Sequence, residues 1–273
     1  MLKADFHKPS RSDSERTKTR SGVVATRILN VPVSTINMEI AVKIIMQWVS
    51  ERESNYICVR DVHGIMRAQE DPNLMNIHDQ AGLVTPDGMP LVWIMRARGY
   101  KNCNRVCGAD LVDSLCRASQ HTGIRHYFYG GKAGVADRMA AELSRRFPGL
   151  QIAGTGMPPF RPMTKEEDRT TTENIASTGP DIIWIGLSTP KQEYWMRDHV
   201  GRIPGATLIG IGAAFDFYAG DVKRAPKWMH YSGLEWLHRL GSEPRRLWRR
   251  YLVLAPKFVA LVVQNGLRNQ KKL

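Results

Sequence analysis

The sequence predicts an α/β protein, a mostly parallel sheet with helices on both faces. Three observations carry this. Short apolar runs alternate along the chain with longer amphipathic stretches, the pattern of strands joined by helical crossovers. The apolar runs are continuous, as expected of strands buried on both faces. The clearest run, Ile182 to Ile185, stops at Gly186 and gives way to a polar loop holding Pro190, Lys191, Gln192 and Glu193. In open α/β sheets, ligands bind just beyond such strand ends.

Residues 1 to 22 are polar, rich in Ser and Arg, and aperiodic, and read as a disordered tail. The α/β domain is expected over residues 23 to 221. It begins with a helical stretch, Asn37 to Ser50, followed by the strand Tyr56 to Val59 and a second helical stretch, Ile65 to Gln80. The strand Leu83 to Thr85 precedes the helix Ala109 to Gln120. The strand His126 to Tyr129 precedes the helix Gly134 to Phe147. The helix Lys165 to Ser177 leads to the strand Ile182 to Ile185, and Thr207 to Ile211 is the last strand.

From residue 222 to 273 the composition changes. Lys and Arg heavily outnumber acids, and Trp228, Trp236 and Trp248 are interleaved among them. Gly241 can close one helix, and Ser242 with Pro244 can open the next. The last apolar stretch, Tyr251 to Leu267, is interrupted by Pro256, Lys257 and Asn265, too broken for a bilayer span. A basic helix bearing Trp, Leu and Tyr has the composition of an interfacial membrane segment.

A chain of 273 residues, 42% hydrophobic and 24% charged, suffices for one large domain or two small ones. A net charge of +13 and a pI near 9.8 imply an anionic partner: nucleic acid, an anionic membrane or a phosphorylated substrate. Cys58, Cys103, Cys107 and Cys116 follow no disulfide or zinc spacing, so reduced thiols and no bound metal are expected. The first residues are polar and mixed in charge, unlike a signal peptide.

Four constellations carry chemistry. In TPDGMP, Asp87 follows a buried strand and is placed to act as a general base, although Asp-Gly is also a strong turn signal. In YFYGGKAG, Gly130 and Gly131 lie between strand and helix, either cradling a phosphate or simply turning the chain. The GIGAAFDFYAGDVKR stretch offers Asp216, Asp221, Lys223 and Arg224 beyond another strand, the cations suited to a diphosphate. In EPRRLWRRY, Arg245, Arg246, Arg249 and Arg250 repeat at helical spacing with few acids to balance them, which favours anion binding. No Asp-x-Asp pair, Gly-x-Ser-x-Gly elbow or His-Glu-x-x-His motif is present. A nucleotide diphosphate here is therefore expected to be neutralised by Arg and Lys.

Together and in order, TPDGMPLVW, RVCGADL, YFYGGKAG, PDIIWIGLSTPKQEYW, GIGAAFD and KRAPKWMHYSGLEWLHRLGSEPRRLWRRYL resemble the WecG/TagA/CpsF family of bacterial glycosyltransferases. The resemblance runs from about Arg27 to about Leu254. It implies a Rossmann-like fold, no cofactor and no metal. It implies inverting transfer of a sugar, N-acetylmannosamine or a related hexose such as glucose or glucuronic acid, from UDP to a polyprenyl-diphosphate-linked saccharide in cell-surface polysaccharide synthesis. The residues it assigns are Asp87 as base, Gln192 in the UDP-sugar site, and Arg245, Arg246 and Arg249 on phosphates. Beside them, the loops read on the sequence itself place Lys191, Gly130, Gly131, Gly186 and Asp216 with the UDP-sugar and Arg224 with phosphate and acceptor. It further implies a cytoplasmic protein, peripheral on the inner face of the cell membrane, with a membrane-docking appendage and a homo-oligomeric core. One departure is visible. Many members carry Thr-x-Asn after the early strand; here Val59 replaces the threonine and Asp61 the asparagine. A carboxylate only accepts hydrogen bonds, and His63 becomes a second candidate base.

Two other classes fit less well. A nucleic-acid-binding protein would explain the pI and the Arg/Trp interleaving, but no recognition signature accompanies them. A nicotinamide-dependent oxidoreductase would share the alternation but needs a glycine fingerprint that is missing.

Overall fold

The computed structural model describes residues 16–270. The chain starts with a small antiparallel sheet: β1 (Arg16–Lys18), β2 (Val24–Ile28) and β3 (Val31–Ser34). β1 lies inside the stretch read as a disordered tail, and its pairing of Arg16 with Thr26 and Lys18 with Val24 departs from that expectation. Residues 1–15 of the expected tail lie outside the described residues.

The body follows as α1 (Met38–Ser50), β4 (Tyr56–Arg60), α2 (Val62–Glu70), α3 (Pro72–Gln80), β5 (Leu83–Pro86), α4 (Met89–Ala97) and α5 (Gly108–Ser119). Then come β6 (Arg125–Gly130), α6 (Val135–Arg146), β7 (Gln151–Gly156), α7 (Lys165–Ser177), β8 (Ile182–Gly186), α8 (Lys191–His199), β9 (Thr207–Gly210) and α9 (Ala214–Tyr218). Beyond them lie α10 (Lys227–Ser232), α11 (Glu235–Ser242), α12 (Pro244–Trp248), a π-helical turn (Arg249–Leu254) and α13 (Ala255–Gln270).

Six strands form one parallel sheet in the order β5-β4-β9-β8-β6-β7. The fold is the expected α/β class. Alternate residues of each strand feed two cores. Cys58, Val84, Ile183 and Leu208 pack with α2, α3, α4 and α8 on one face. Ile57, Leu83, Trp184 and Ile209 pack with α1, α5, α6 and α9 on the other. Ile182 to Ile185 are fully buried, which is why that run shows no polar alternation.

One sequence reading is corrected and one strand was missed. Ile65 to Gln80 is not one helix: it breaks at Asp71, whose side chain caps α3 by accepting from Asn73 and Leu74 N–H, with Pro72 at the first helical position. The edge strand β7 went unpredicted, because its sequence QIAGTG is glycine-rich and only half-buried. A Cβ at Gly154 would lie 2.8 Å from the Tyr127 ring, so packing rather than propensity sets that glycine.

This topology places the site. The chain leaves β4 and β8 toward one face, into α2 and α8, but leaves β9, between them, toward the other face into α9. Neighbouring connections that diverge open a crevice at the carboxyl edge of the sheet.

Candidate active site

A cavity of about 700 Å³ occupies that crevice. Its floor is made by the segments following β4, β5, β8 and β9, and its outer wall by α11, α12 and the π-helical turn. Asp87 follows β5 directly. Its N–H donates to the Arg60 carbonyl (2.7 Å), extending the β4–β5 ladder by one rung. Val106 N–H donates to the Pro86 carbonyl (2.8 Å), which lays Arg105 against Asp87. Arg105 Nη2 is 3.0 Å from Asp87 Oδ1 and 2.7 Å from Glu235 Oε2, and Arg105 Nε donates to the Asp87 carbonyl. Burial raises the Asp87 carboxyl above the ordinary carboxylate range; Arg105 opposes this, while Glu235 and Asp61 add to it. A carboxylate with raised proton affinity in a cleft suits a general base.

Asp61 is differently placed. Its Oδ1 caps α2, accepting from Gly64 N–H (3.1 Å), and its Oδ2 accepts from Arg250. Burial opposes its charge, but Arg250, His63 and the Gly64 amide together hold the carboxyl below the ordinary range. Both oxygens being engaged, Asp61 is a poor base. Burial, and then Arg250, lower the His63 pKa against the pull of Asp61, which favours neutral imidazole. The departure from Thr-x-Asn thus has a physical counterpart: the carboxylate keeps the helix cap and binds an arginine of the appendage.

Gln192 is buried and lines the cleft. Its Nε2 donates to Glu193 Oε1 (2.8 Å), and that carboxylate forms an ion pair with Arg60. Arg60 Nη1 also donates to Thr189 Oγ1 (3.1 Å). A carboxylate can only accept, so the Gln192 amide has one orientation. Its Oε1 is left without a protein partner, beside Gly212, where an added Cβ would approach it to 3.4 Å. Gln192 therefore offers a fixed acceptor to a ligand N–H or O–H.

Asp87, His63, Asp61, Gln192, Arg224, Arg246 and Arg249 come together around this cavity. Arg224 is held by Asp110 on the first turn of α5 and lies 3.6 Å from Cys107 Sγ. Arg246 pairs with Glu243 (2.6 Å), and the Arg249 guanidinium lies over the Trp248 ring. Gly130, Gly131, Gly186, Lys191, Asp216 and Arg245 are not among the lining residues. A Cβ on Gly130 would meet the Gly186 backbone at 2.6 Å, and one on Gly186 would meet the Phe215 ring at 2.5 Å. Gly131 N–H donates to the Gly186 carbonyl (3.0 Å). These glycines let strand ends and α9 approach closely. Lys191 and Arg245 are exposed, and the Asp216 carbonyl closes the following turn by accepting from Asp221 and Val222.

Sequence reasoning gave no role to Arg105, Glu235 or Arg60 and left Arg250 only as one of a cluster. Arg105 lies in the quoted RVCGADL motif, but its partners are brought together only by the fold. Among the described residues no helix is long and apolar enough to cross a membrane, and no group of three His, Cys, Asp or Glu residues could hold a metal ion.

A parallel α/β sheet with a basic cleft at its carboxyl edge, one carboxylate of raised proton affinity and arginines from the C-terminal segment are the features of an enzyme. The chain belongs to the glycosyl transferase WecG/TagA/CpsF family, whose model matches residues 26–272, and it is a glycosyltransferase. It is 31% identical over 198 residues to the N-acetylglucosaminyldiphosphoundecaprenol N-acetyl-beta-D-mannosaminyltransferase of Bacillus spizizenii, covering 72% of this chain and 74% of that protein. It is equally 31% identical, over 205 residues, to the Bacillus subtilis (strain 168) protein of the same name, covering 75% and 77%.

Proposed function

We propose that the protein transfers N-acetylmannosamine, or a closely related hexose, from its UDP donor to a polyprenyl-diphosphate-linked N-acetylglucosamine, working at the inner face of the membrane. The observation that carries this reading is that Asp87, Arg246 and Arg249 line one cavity. A base and a set of leaving-group cations thus share one space. The relatives' names supply the sugars.

In this mechanism Asp87 accepts the proton of the acceptor hydroxyl as its oxygen attacks the anomeric carbon. The bond from that carbon to the UDP oxygen breaks, its electron pair leaves with UDP, and the configuration inverts. Arg224, Arg246 and Arg249 stabilise the charge growing on the diphosphate, a stabilisation that is strong in a partly desolvated site. The positive end of the α5 dipole, at Gly108 and Ala109, also faces the cavity. Gln192 Oε1 accepts from a donor group on the UDP-sugar.

The test is a panel of UDP-N-acetylmannosamine, UDP-glucose and UDP-glucuronic acid with a short-chain polyprenyl-diphosphate N-acetylglucosamine, read by mass spectrometry of the lipid product. A disaccharide lipid from UDP-N-acetylmannosamine is the expected result. Product only from another donor would replace the sugar, and no lipid product from any would remove the acceptor.

A further inference from the structure

Gln192 and Glu193 are consecutive on the first turn of α8, where side chains one residue apart do not face each other. Here they meet, Gln192 Nε2 donating to Glu193 Oε1 (2.8 Å). Arg60, at the end of β4, draws the carboxylate across. Its Nη2 donates to the same Oε1, and its Nη1 donates to Thr189 Oγ1 (3.1 Å). The side chains of Arg60 and Glu193 are 2% and 0% exposed, so these bonds are shielded from bulk water. The two ends of the Gln192 amide are sorted accordingly. A Cβ on Gly210, the last residue of β9, would lie 3.0 Å from Nε2, and one on Gly212, in the following loop, 3.4 Å from Oε1. The nitrogen thus lies toward the strand and the oxygen, which has no protein partner, toward the loop. Asp87 follows β5 and is bonded through its N–H to Arg60 of β4 (2.7 Å), while Cys58 of β4 pairs with Gly210 of β9. Two strand spacings, about 10 Å, therefore separate Asp87 from Gln192 along the cleft floor. That leaves room for one hexose with a hydrogen bond at each side.

We propose that Glu193, held by Arg60, is a positioning residue that locks the Gln192 amide with its oxygen to the ligand and so makes the cleft select a hexose hydroxyl at that point. This rests on the reading of the cleft as a UDP-hexose site. A free glutamine amide can turn over and serve a donor or an acceptor alike. Turned over here, it would set its carbonyl oxygen against the Glu193 carboxylate, two acceptors with no proton between them. Only a ligand group that donates then satisfies Oε1. A sugar carrying fluorine in place of that hydroxyl leaves Oε1 buried and unpaired, which weakens binding. Gln192 lines the cleft and Glu193 does not, so Glu193 acts on the sugar only through the amide it orients.

The experiment has two arms, both on the full chain. The first is NMR of the side-chain amides with nitrogen-15 glutamine, the Gln192 signals being assigned by their loss in Gln192→Glu. One Gln192 amide proton is expected downfield and protected from exchange. In Arg60→Met with Glu193→Leu, which removes the pair without stranding a charge, that protection is lost. A Gln192 amide that exchanges freely in the unsubstituted protein overturns the proposal. The second arm measures KM and kcat for UDP-N-acetylmannosamine and for analogues in which each free hydroxyl of the hexose is replaced in turn by fluorine. One analogue is expected to raise KM about 10–100-fold with kcat little changed. In the double variant KM for the parent donor rises to meet that of the analogue, and the discrimination disappears. Discrimination undiminished in a double variant that melts normally overturns the proposal, since the pair is then packing alone. So does an unsubstituted protein that treats every analogue like the parent. The underlying reading fails separately: a chain that turns over no UDP-hexose loses the donor assignment, while the locking of the amide is judged by the first arm.

Discussion

A carboxylate that takes a proton from a sugar hydroxyl must be ionised beforehand and must hold the proton once it arrives. Of the two carboxylates beside the β4 and β5 ends, burial pushes Asp87 toward that balance, while Arg250 and the α2 cap pull Asp61 away from it. Asp87→Asn is therefore expected to lower turnover about 10²–10⁴-fold, with UDP binding by calorimetry and thermal melting unchanged. Asp61→Asn keeps an oxygen to cap α2 but loses the Arg250 ion pair. Its expected signature is a raised acceptor KM with little loss of stability. Another buried group reports on the fold. Trp184 Nε1–H donates to His126 Nδ1 (3.0 Å), and His126 Nε2 meets Ser119 Oγ (2.8 Å). An indole can only donate, so the imidazole is neutral with its proton on Nε2. Burial holds the His126 pKa down at about 3, against about 6.5 in an unfolded chain. Between those values the unfolded chain binds more protons, so stability falls as pH drops, by up to about 1.4 kcal/mol per pH unit. His78, also held at about 3 by burial and Arg60, acts in the same direction. Melting at pH 5 should lie below melting at pH 7, and His126→Gln should narrow the gap. An equal gap in that variant would dismiss His126 as a source. Asp87 and Gln192 were legible in the sequence because each sits in a short local pattern at a strand end. Glu235 was not, since its partner Arg105 is joined to it only by tertiary contact.

The β4–α8 junction shows how elements hold the site. Arg60 ends β4 and Glu193 lies on the first turn of α8, both almost fully buried. The side chain of Arg60 also packs against Gly64 on α2, where a Cβ would come within 2.8 Å. Removing one partner strands a buried charge, so Glu193→Gln should cost roughly 3–5 kcal/mol in denaturant unfolding. Replacing both, as Arg60→Met with Glu193→Leu, should recover most of that, because apolar pairs of similar volume are often neutral. Activity should not recover with it, since nothing then orients the Gln192 amide. Full activity in the stable double variant would reduce the pair to packing. The sequence marked the buried strands β4, β5, β6, β8 and β9 because burial on both faces leaves an unbroken apolar run. It did not mark β1, β2, β3 or β7. Those belong to the small antiparallel sheet or to an edge, where register and packing, not hydropathy, make the strand.

At the scale of the whole molecule, charge is unevenly shared. Residues 222–273 hold twelve Lys and Arg and two Glu, a surplus of ten out of the total +13. Among the described residues, ion pairs of both senses fasten this segment to the body: Arg224 on Asp110, Arg250 on Asp61, and Glu235 on Arg105. The appendage also leaves Leu252, Val253, Val259 and Val263 more than half exposed. Apolar side chains beside a cationic surface suit an anionic lipid interface, where each Lys or Arg adds about 1 kcal/mol within a Debye length. The full chain is therefore expected to sediment with vesicles of phosphatidylglycerol but not with phosphatidylcholine. Raising the salt to about 1 M shrinks the Debye length to about 3 Å and should release most of it. The apolar part separates from the electrostatic part by substitution. Leu252→Ser with Val259→Ser removes exposed methyl groups and leaves every charge in place, so binding should weaken at all salt concentrations with the same salt slope. Arg-to-Gln changes at exposed Arg245 and Arg249 should flatten the slope instead. Sedimentation that ignores both lipid charge and salt would leave the basic surface without a membrane role and return its arginines to the substrate alone.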